Sequence, residues 1–367
     1  MLSKEITQLT EVLRPHFTGN RSRIECMAAI ILGMLSAGTV NLAEIITYVH
    51  GKLLHESMYK RIQGFFTEFI LCLNEVAAFV LLILPLKGNF RLVFDRTNWQ
   101  FGQSDINYFV LAICYRNVSI PIFWINLDKR GCSSDAERIE LLNKFKDKFG
   151  FSRVSDLLGD REFISSKLLA YLEEEGVPYT LRIKADHIVT NATGRKVRAD
   201  ELFFYLQAGE TAVLKNRLLL GVQSNICGTR MSDGSLKIIA TNHDYNTAID
   251  RYEDREQIER MFSCLKTRGF NLEDTHITNP DKLERLLGVV TIAFCWAYKT
   301  GDYIDEHEEI PRKSHGRRIR SIFKTGHVYI KSLLSNISNR CDEYSSILKL
   351  IFCKSYHEKH CIDWGYV

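Results

Sequence analysis

Proline is scarce in this chain, with 6 in 367 residues, and no apolar run is long. The two strongest, Val76–Leu86 and Leu286–Tyr298, fall short of the roughly 20 residues a membrane-spanning helix needs. No membrane partner is therefore expected. The ten cysteines contain no Cys-x2-Cys pair, which removes the common zinc-ribbon and dithiol frameworks. With no secretory pattern at the start, they read as reduced thiols of a cytoplasmic protein, several of them buried. Charge of one sign is also lacking in bulk. A net charge of +4 argues for no nucleic-acid partner by itself, so any such case rests on the distribution of charge. There is no internal repeat and no low-complexity tract, which excludes solenoids and long disordered arms. What remains is 46% hydrophobic and 25% charged, an ordinary globular balance long enough for two or three domains.

Residues 1–85 read as helical throughout and form the first predicted domain. Asn41-Leu-Ala-Glu44 has the form of a capping box, opening a short helix that ends near Gly51. A second helix begins a few residues later and carries Glu56, Tyr59, Lys60, Arg61 and Gln63. Helix, glycine turn, helix is the shape of a helix-turn-helix. Lys60 and Arg61 are its candidate DNA contacts, although many such helix pairs bind nothing. Phe66–Leu86 reads as one buried helix leading onward.

At Asn89 the pattern changes. Phe90–Phe94 is a short apolar strand ending at Asp95, and Asn107–Tyr115 and Ile120–Leu127 follow as an antiparallel meander. Ser133–Phe149 has helical spacing. Arg153–Leu158 reads as a strand, followed by Gly159-Asp160-Arg161-Glu162-Phe163, then a helix Ile164–Glu175 and a strand Val177–Ile183. Three strands, helix, strand, helix, strand is the order of the ribonuclease-H-like fold, an α/β core with a mixed sheet. In that plan Asp95 and Asp160 emerge at one sheet edge. Taken singly, Asp95 also suits a strand-end turn and Asp160 a helix N-cap. Glu162 and Asp156 are the alternatives to Asp160. Beyond Val177 lie strand-forming stretches, Leu202–Gln207, Thr211–Leu214, Leu218–Val222 and Ile238–Ala240. They predict a mostly β insertion at about 177–248 within a catalytic domain of 86–300.

Asp250–Gly269 has good helix formers, an Asp at its start and a Gly at its end. On a continuous helix Tyr252, Arg255, Glu259 and Lys266 fall within about 60° of one another, and Ile258, Met261, Phe262 and Leu265 form a separate apolar stripe. An ordinary amphipathic helix with solvated charges would also account for this. The spacing Tyr-x2-Arg-x3-Glu-x6-Lys, matched at all four positions, resembles the signature of bacterial insertion-sequence transposases of the IS-four type, the group that includes the Tn-five transposase. Asp95-Arg-Thr-Asn-Trp99 and Asp160-Arg-Glu-Phe163 resemble the other two motifs of that family.

The resemblance implies a catalytic triad of Asp95, Asp160 and Glu259 holding two Mg²⁺ ions, with Mn²⁺ able to substitute. It implies that Tyr252, Arg255 and Lys266 hold phosphates near a transposon end. It further implies cut-and-paste transposition through a DNA hairpin, with terminal inverted repeats and target DNA as partners and a homodimer on the DNA. In the best-known member of that family a tryptophan of the insertion stacks on a flipped base. This chain has no tryptophan between Trp124 and Trp296, so Phe203, Phe204, Tyr205 and Tyr245 are the available aromatics. Residues 301–367 form a basic, helical C-terminal region. Pro311–Cys341 holds eight Lys or Arg, among them Arg317 and Arg318, and no Asp or Glu, a distribution suited to phosphate. Cys353, His357, His360 and Cys361 are a weak candidate metal cluster. A nuclease without strand transfer, and a non-catalytic DNA-binding descendant, are the competing functions.

Overall fold

The computed structural model describes residues 3–49, 55–84, 86, 88–314 and 316–352. The chain divides into two compact units, one of Gly88–Asn98 and Asn107–Met261, the other of Met1–Lys87, Trp99–Ile106 and Phe262–Val367. The second unit opens with five helices: α1 (Ser3–Leu13), α2 (Arg21–Ala37), α3 (Leu42–Val49), α4 (His55–Glu68) and α5 (Leu73–Ile83). Asn20 caps α2 by accepting from the Arg23 N–H, and Gly38, at φ 81°, ends it with a bond to the Met34 carbonyl. The Asn41 carboxamide accepts from the Ala43 N–H at 3.0 Å and so opens α3. The turn expected near Gly51 lies outside the described residues. The single helix expected over 66–86 is in fact broken. Phe69 and Leu71 are buried while Ile70 between them is 80% exposed, an alternation that suits extended chain and not a helix.

The other unit is built on a ten-stranded sheet. Its elements are β1 (Phe90–Phe101), β2 (Ser104–Tyr115), β3 (Val118–Asn126), α6 (Asp135–Phe149), β4 (Val154–Gly159), α7 (Ser166–Glu174), β5 (Tyr179–Arg182), β6 (Ile188–Thr190), β7 (Lys196–Arg198), β8 (Thr211–Leu219), β9 (Val222–Arg230), β10 (Leu236–Thr241), α8 (Ala248–Glu253) and α9 (Glu256–Leu265). The strand order is β3-β2-β1-β4-β5-β10-β9-β8-β6-β7. β1, β4 and β5 run parallel, and β2 and β3 pair antiparallel. The first five strands therefore have the order and directions of the ribonuclease-H-like plan.

Three local expectations change. β1 does not stop at Asp95: Thr97 and Trp99 face inward and Asn98 and Gln100 outward, so strand alternation carries on and the aspartate lies in the strand interior. Leu202–Gln207 is not a strand. A 3₁₀ turn at Asp200–Leu202 sends Phe203 into the core, where its ring lies over Gly228 so closely that a Cβ there would come within 2.5 Å of it. Asp250–Gly269 is not one helix. Between α8 and α9 the Asp254, Arg255, Gln257 and Ile258 amides bond three residues back, and the Asp254 carboxylate pairs with Arg91. The joint is a tight turn, and the arc computed on a continuous helix does not apply.

α8 has only six residues, too few to hold itself. A buried network fixes it to the sheet. Arg251 Nε donates to Asp156 Oδ2 at 2.9 Å, and the Thr180 hydroxyl donates to the same oxygen at 2.8 Å. The guanidinium also reaches the hydroxyls of Thr247 at 2.5 Å and Thr180 at 3.2 Å. Asp156 has no solvent exposure. It belongs to this structural pair, which removes it as an alternative to Asp160.

Three further helices complete the helical unit: α10 (Pro280–His307), α11 (Ile322–Ser335) and α12 (Cys341–Phe352). α10 and α11 touch backbone to backbone, since a Cβ on Gly301 would meet the Ile322 carbonyl oxygen at 1.9 Å and one on Gly326 that of Ala297 at 1.9 Å. In α11, His327 Nε2 lies 3.2 Å from the Leu35 carbonyl and the Lys331 ammonium donates to that of Ala37, satisfying the end of α2. Of the basic segment, Arg312 pairs with Glu309, Arg318 with Asp305 and Arg340 with Glu343. All three acids lie just outside the acid-free stretch. The cluster from Cys353 to Cys361 lies outside the described residues. Among those residues no single helix is long and apolar enough to cross a membrane.

Replacing Arg251 by Met leaves Asp156 buried without its cation. Urea denaturation is expected to give a loss of about 3–5 kcal/mol, against a much smaller loss for the double variant Arg251→Met/Asp156→Leu. Equal losses in the two would mean that the pair does not hold α8.

Candidate active site

Two acidic side chains reach one place in the sheet unit from adjacent parallel strands. Asp95 lies within β1, and Asp160 is the first residue after β4. A common aromatic cluster sets both. Phe94 and Phe163 stack edge to face at 5.0 Å, and Phe109 lies 5.4 Å from each. Gly159 gives Phe94 its room, because a Cβ there would meet that ring at 2.4 Å. The turn after Asp160 is held by Arg138 of α6, whose buried guanidinium donates to the carbonyls of Phe163 at 2.8 Å and Glu162 at 3.2 Å. Each aspartate then accepts a bond from the next residue's backbone N–H, Arg96 at 2.7 Å and Arg161 at 2.8 Å.

The third acid, Glu259, comes from α9. All three meet on one guanidinium, that of Arg255 in the α8–α9 joint. Its Nη2 donates to Asp95 Oδ2 at 2.7 Å and stands 3.7 Å from Asp160 Oδ2, while Nη1 donates to Glu259 Oε1 at 2.5 Å. The Tyr252 hydroxyl donates to Asp160 Oδ1 at 3.3 Å, and Arg182 Nη1 lies 3.7 Å from the same oxygen. Glu162 faces Arg96 instead, at 3.6 Å.

The electrostatics follow from burial. Asp95 is 13% exposed and Glu259 57%. Burial pushes the Asp95 carboxyl up to about 6; Arg255 and the Arg96 N–H pull it down, and Glu162 and Asp160 push it further up. Burial works against the charge of Arg255, but Asp95, Tyr252, Asp160 and Glu259 outweigh it and raise its pKa. Burial also raises the Tyr252 phenol, which keeps its proton available for Asp160.

A model of the transposase DDE domain matches residues 91–296, more than half of the chain, and spans all three acids. The chain belongs to the transposase DDE domain family. Among solved structures it is similar to the piggyBac transposase in a synaptic complex with hairpin DNA, at 11% identity over 98% of this chain and 82% of that one, with a TM-score of 0.49. It is also similar to the catalytic domain of human endonuclease V, at 14% identity over 65% and 95%, with a TM-score of 0.24. No curated protein sequence matches it.

In this DDE domain, five of the residues expected from sequence stand together: Asp95, Asp160, Tyr252, Arg255 and Glu259. Lys266 follows α9, pairs with Glu273 at 2.8 Å and lies over the Trp99 ring. Lys60 is exposed and paired with Glu56. Arg61 donates to the Ser22 carbonyl at 3.1 Å and Arg318 is tied to Asp305. Arg317 belongs with them to the helical unit. Sequence reasoning missed Arg138 and Arg251. An arginine inside an apolar helical pattern was the available signal for Arg138. Three carboxylates from separate segments form the hard-oxygen donor set that Mg²⁺ and Mn²⁺ prefer, and they already surround one positive charge. Among the described residues no three such side chains close on a single point; the three acids are arranged around the Arg255 guanidinium.

The sign of one pH effect is fixed by Asp95. Its carboxyl loses its proton near 6 when folded, against 3.8 for the free group. The folded chain binds more protons between those values, so this group's contribution to stability is present below the lower value and lost as pH rises through the upper. Relative to the parent, Asp95→Asn is expected to gain up to about 3 kcal/mol between about pH 4 and pH 7, read from denaturation midpoints. A stability difference independent of pH would contradict this.

Proposed function

We propose that the chain is a transposase of the IS-four type that cuts DNA at the ends of its own insertion element and joins the resulting 3′-OH ends to target DNA, by a cut-and-paste route through a hairpin intermediate. One observation carries the reading: three acids from β1, the end of β4 and α9 converge on the Arg255 guanidinium inside a transposase DDE domain. In this reading Asp95, Asp160 and Glu259 hold two Mg²⁺ ions, which Mn²⁺ can replace. When bound, such ions supply activation of water or a 3′-OH and stabilisation of the leaving oxygen.

The chain's own groups have separate tasks. Asp95 and Asp160 are held rigidly by the aromatic cluster and by their backbone bonds, so little ordering is needed at the moment of reaction. Glu259 is the exposed member and the one free to adjust. Arg255 balances the acids in the DNA-free chain and turns its fork to a phosphate when their charge is met otherwise. Tyr252 keeps Asp160 oriented through its hydroxyl. A cavity of about 440 Å³ is lined by Arg161, the residue after Asp160, and by Lys184, Ala185, Asp186 and Arg198, a mainly cationic wall along which a DNA strand would lie. Lys60, Arg61, Lys266, Arg317 and Arg318 remain proposed DNA contacts. For Arg61 and Arg318 that requires giving up bonds within the chain, and Lys60 needs to release only a surface pair worth little. Duplex DNA bearing the terminal inverted repeats, and target DNA, are the proposed partners of a homodimer in the cytoplasm.

Alanine at Asp95, Asp160 or Glu259 is expected to lower both nicking of an intact end and strand transfer of a pre-nicked end by on the order of 10³ or more. DNA binding should be retained in each case. Arg255→Ala should lose cleavage while Mn²⁺ binding, read by calorimetry, holds or tightens, because a competing cation is gone. Nicking without strand transfer by the parent would favour a nuclease. Substantial cleavage by Asp95→Ala or Asp160→Ala would overturn the two-metal assignment.

A further inference from the structure

A second cavity, with a mixed apolar and polar lining, lies in the helical unit. It measures about 500 Å³ and is walled by the start of α3, one face of α4, the 275–279 segment and the start of α10. Tyr59 and Gln63, four residues apart on α4, face it together with His276 and Lys282. None of its described lining residues is acidic. The donors are also unspent. Among the described residues, the Tyr59 hydroxyl, the Gln63 carboxamide and the Lys282 ammonium have no hydrogen-bond or ion-pair partner. Lys282 is half-buried in the first turn of α10, where the backbone dipole is already positive. It adds to that potential. Asp281 beside it is exposed and takes no part in the lining. Partly burying an unpaired ammonium costs free energy unless an anion meets it, and the room suffices for a small ligand and not only for water.

We propose that this cavity binds one phosphate-bearing nucleotide of a DNA strand, with the phosphate against Lys282 and the sugar or base toward Tyr59 and Gln63. The polymer's identity rests on the transposase reading; the phosphate rests on the lining alone. Contacts of this kind fix register and do not read sequence. The cavity therefore acts as a positioning site on α4. Lys60 and Arg61, on the same helix, do not line it.

The test uses the full chain, a short random-sequence duplex and inorganic phosphate as probes. Lys282→Gln is expected to weaken duplex binding about 3- to 10-fold and to reduce the slope of log affinity against log salt by about 1. Lys282→Arg should restore both. Gln63→Ala, at an exposed position, should weaken binding without changing the slope, and circular dichroism should find all three variants folded. Parent-like affinity and slope in Lys282→Gln would overturn the proposal while leaving the cleavage reading intact. A parent chain that binds no duplex would overturn both. Thermal stabilisation by inorganic phosphate that Lys282→Gln abolishes, with DNA binding unchanged, would make this a small-anion site and contradict the DNA assignment.

Discussion

The buried pair of Asp156 and Arg251 is the constraint on which the site depends. A carboxylate with no solvent exposure is tolerable only when its charge is met: Arg251 Nε and the Thr180 hydroxyl both donate to Asp156 Oδ2, and His243 Nε2 lies 3.2 Å from Oδ1 without a hydrogen bond to it. Those partners come from β5, α8 and the segment after β10. The pair therefore does what the six residues of α8 cannot do alone. Arg255 sits four positions after Arg251, across a tight turn. Where Arg251 is fixed, Arg255 is delivered to the acids.

From that point the electrostatics are those of a crowded anionic site with its own internal cation. Asp95 lies within β1 and Asp160 directly after the adjacent parallel β4, and the Asp160 charge adds to the cost of ionising Asp95. Arg255 relieves that cost and keeps the acids close without any ligand. The same guanidinium competes with any divalent ion that the acids would take. An arrangement of this sort favours charge exchange: the positive charge at the centre can change identity while the carboxylates stay in place.

Much of this was legible in the sequence, and the failures have physical causes. The meander and the parallel strands follow from short apolar runs set between turns, and α6 and α7 from period-3.6 spacing, none of which tertiary packing overrode. Asp95 and Asp160 were legible only jointly, through the strand order and the three family motifs, because singly each acid also suits a turn or a cap. The break inside 250–269 was not, because nothing local disfavours a helix there. It is produced by Arg91 and Cys114, more than a hundred residues away, holding Asp254. The weak strands β6 and β7 are three residues each, Ile-Val-Thr and Lys-Val-Arg, too short for any hydrophobic period to mark them. The acid-free basic stretch misled in another way, since its counter-charges Asp305, Glu309 and Glu343 lie just beyond its ends.

The most direct test of the account is anomalous scattering from Mn²⁺ in crystals of the full-length protein. The account predicts density for two ions about 3.5–4 Å apart, bonded to carboxylate oxygens of Asp95, Asp160 and Glu259, with the Arg255 guanidinium displaced from between them. Ions bound elsewhere, with Arg255 still bridging the three acids, would contradict it.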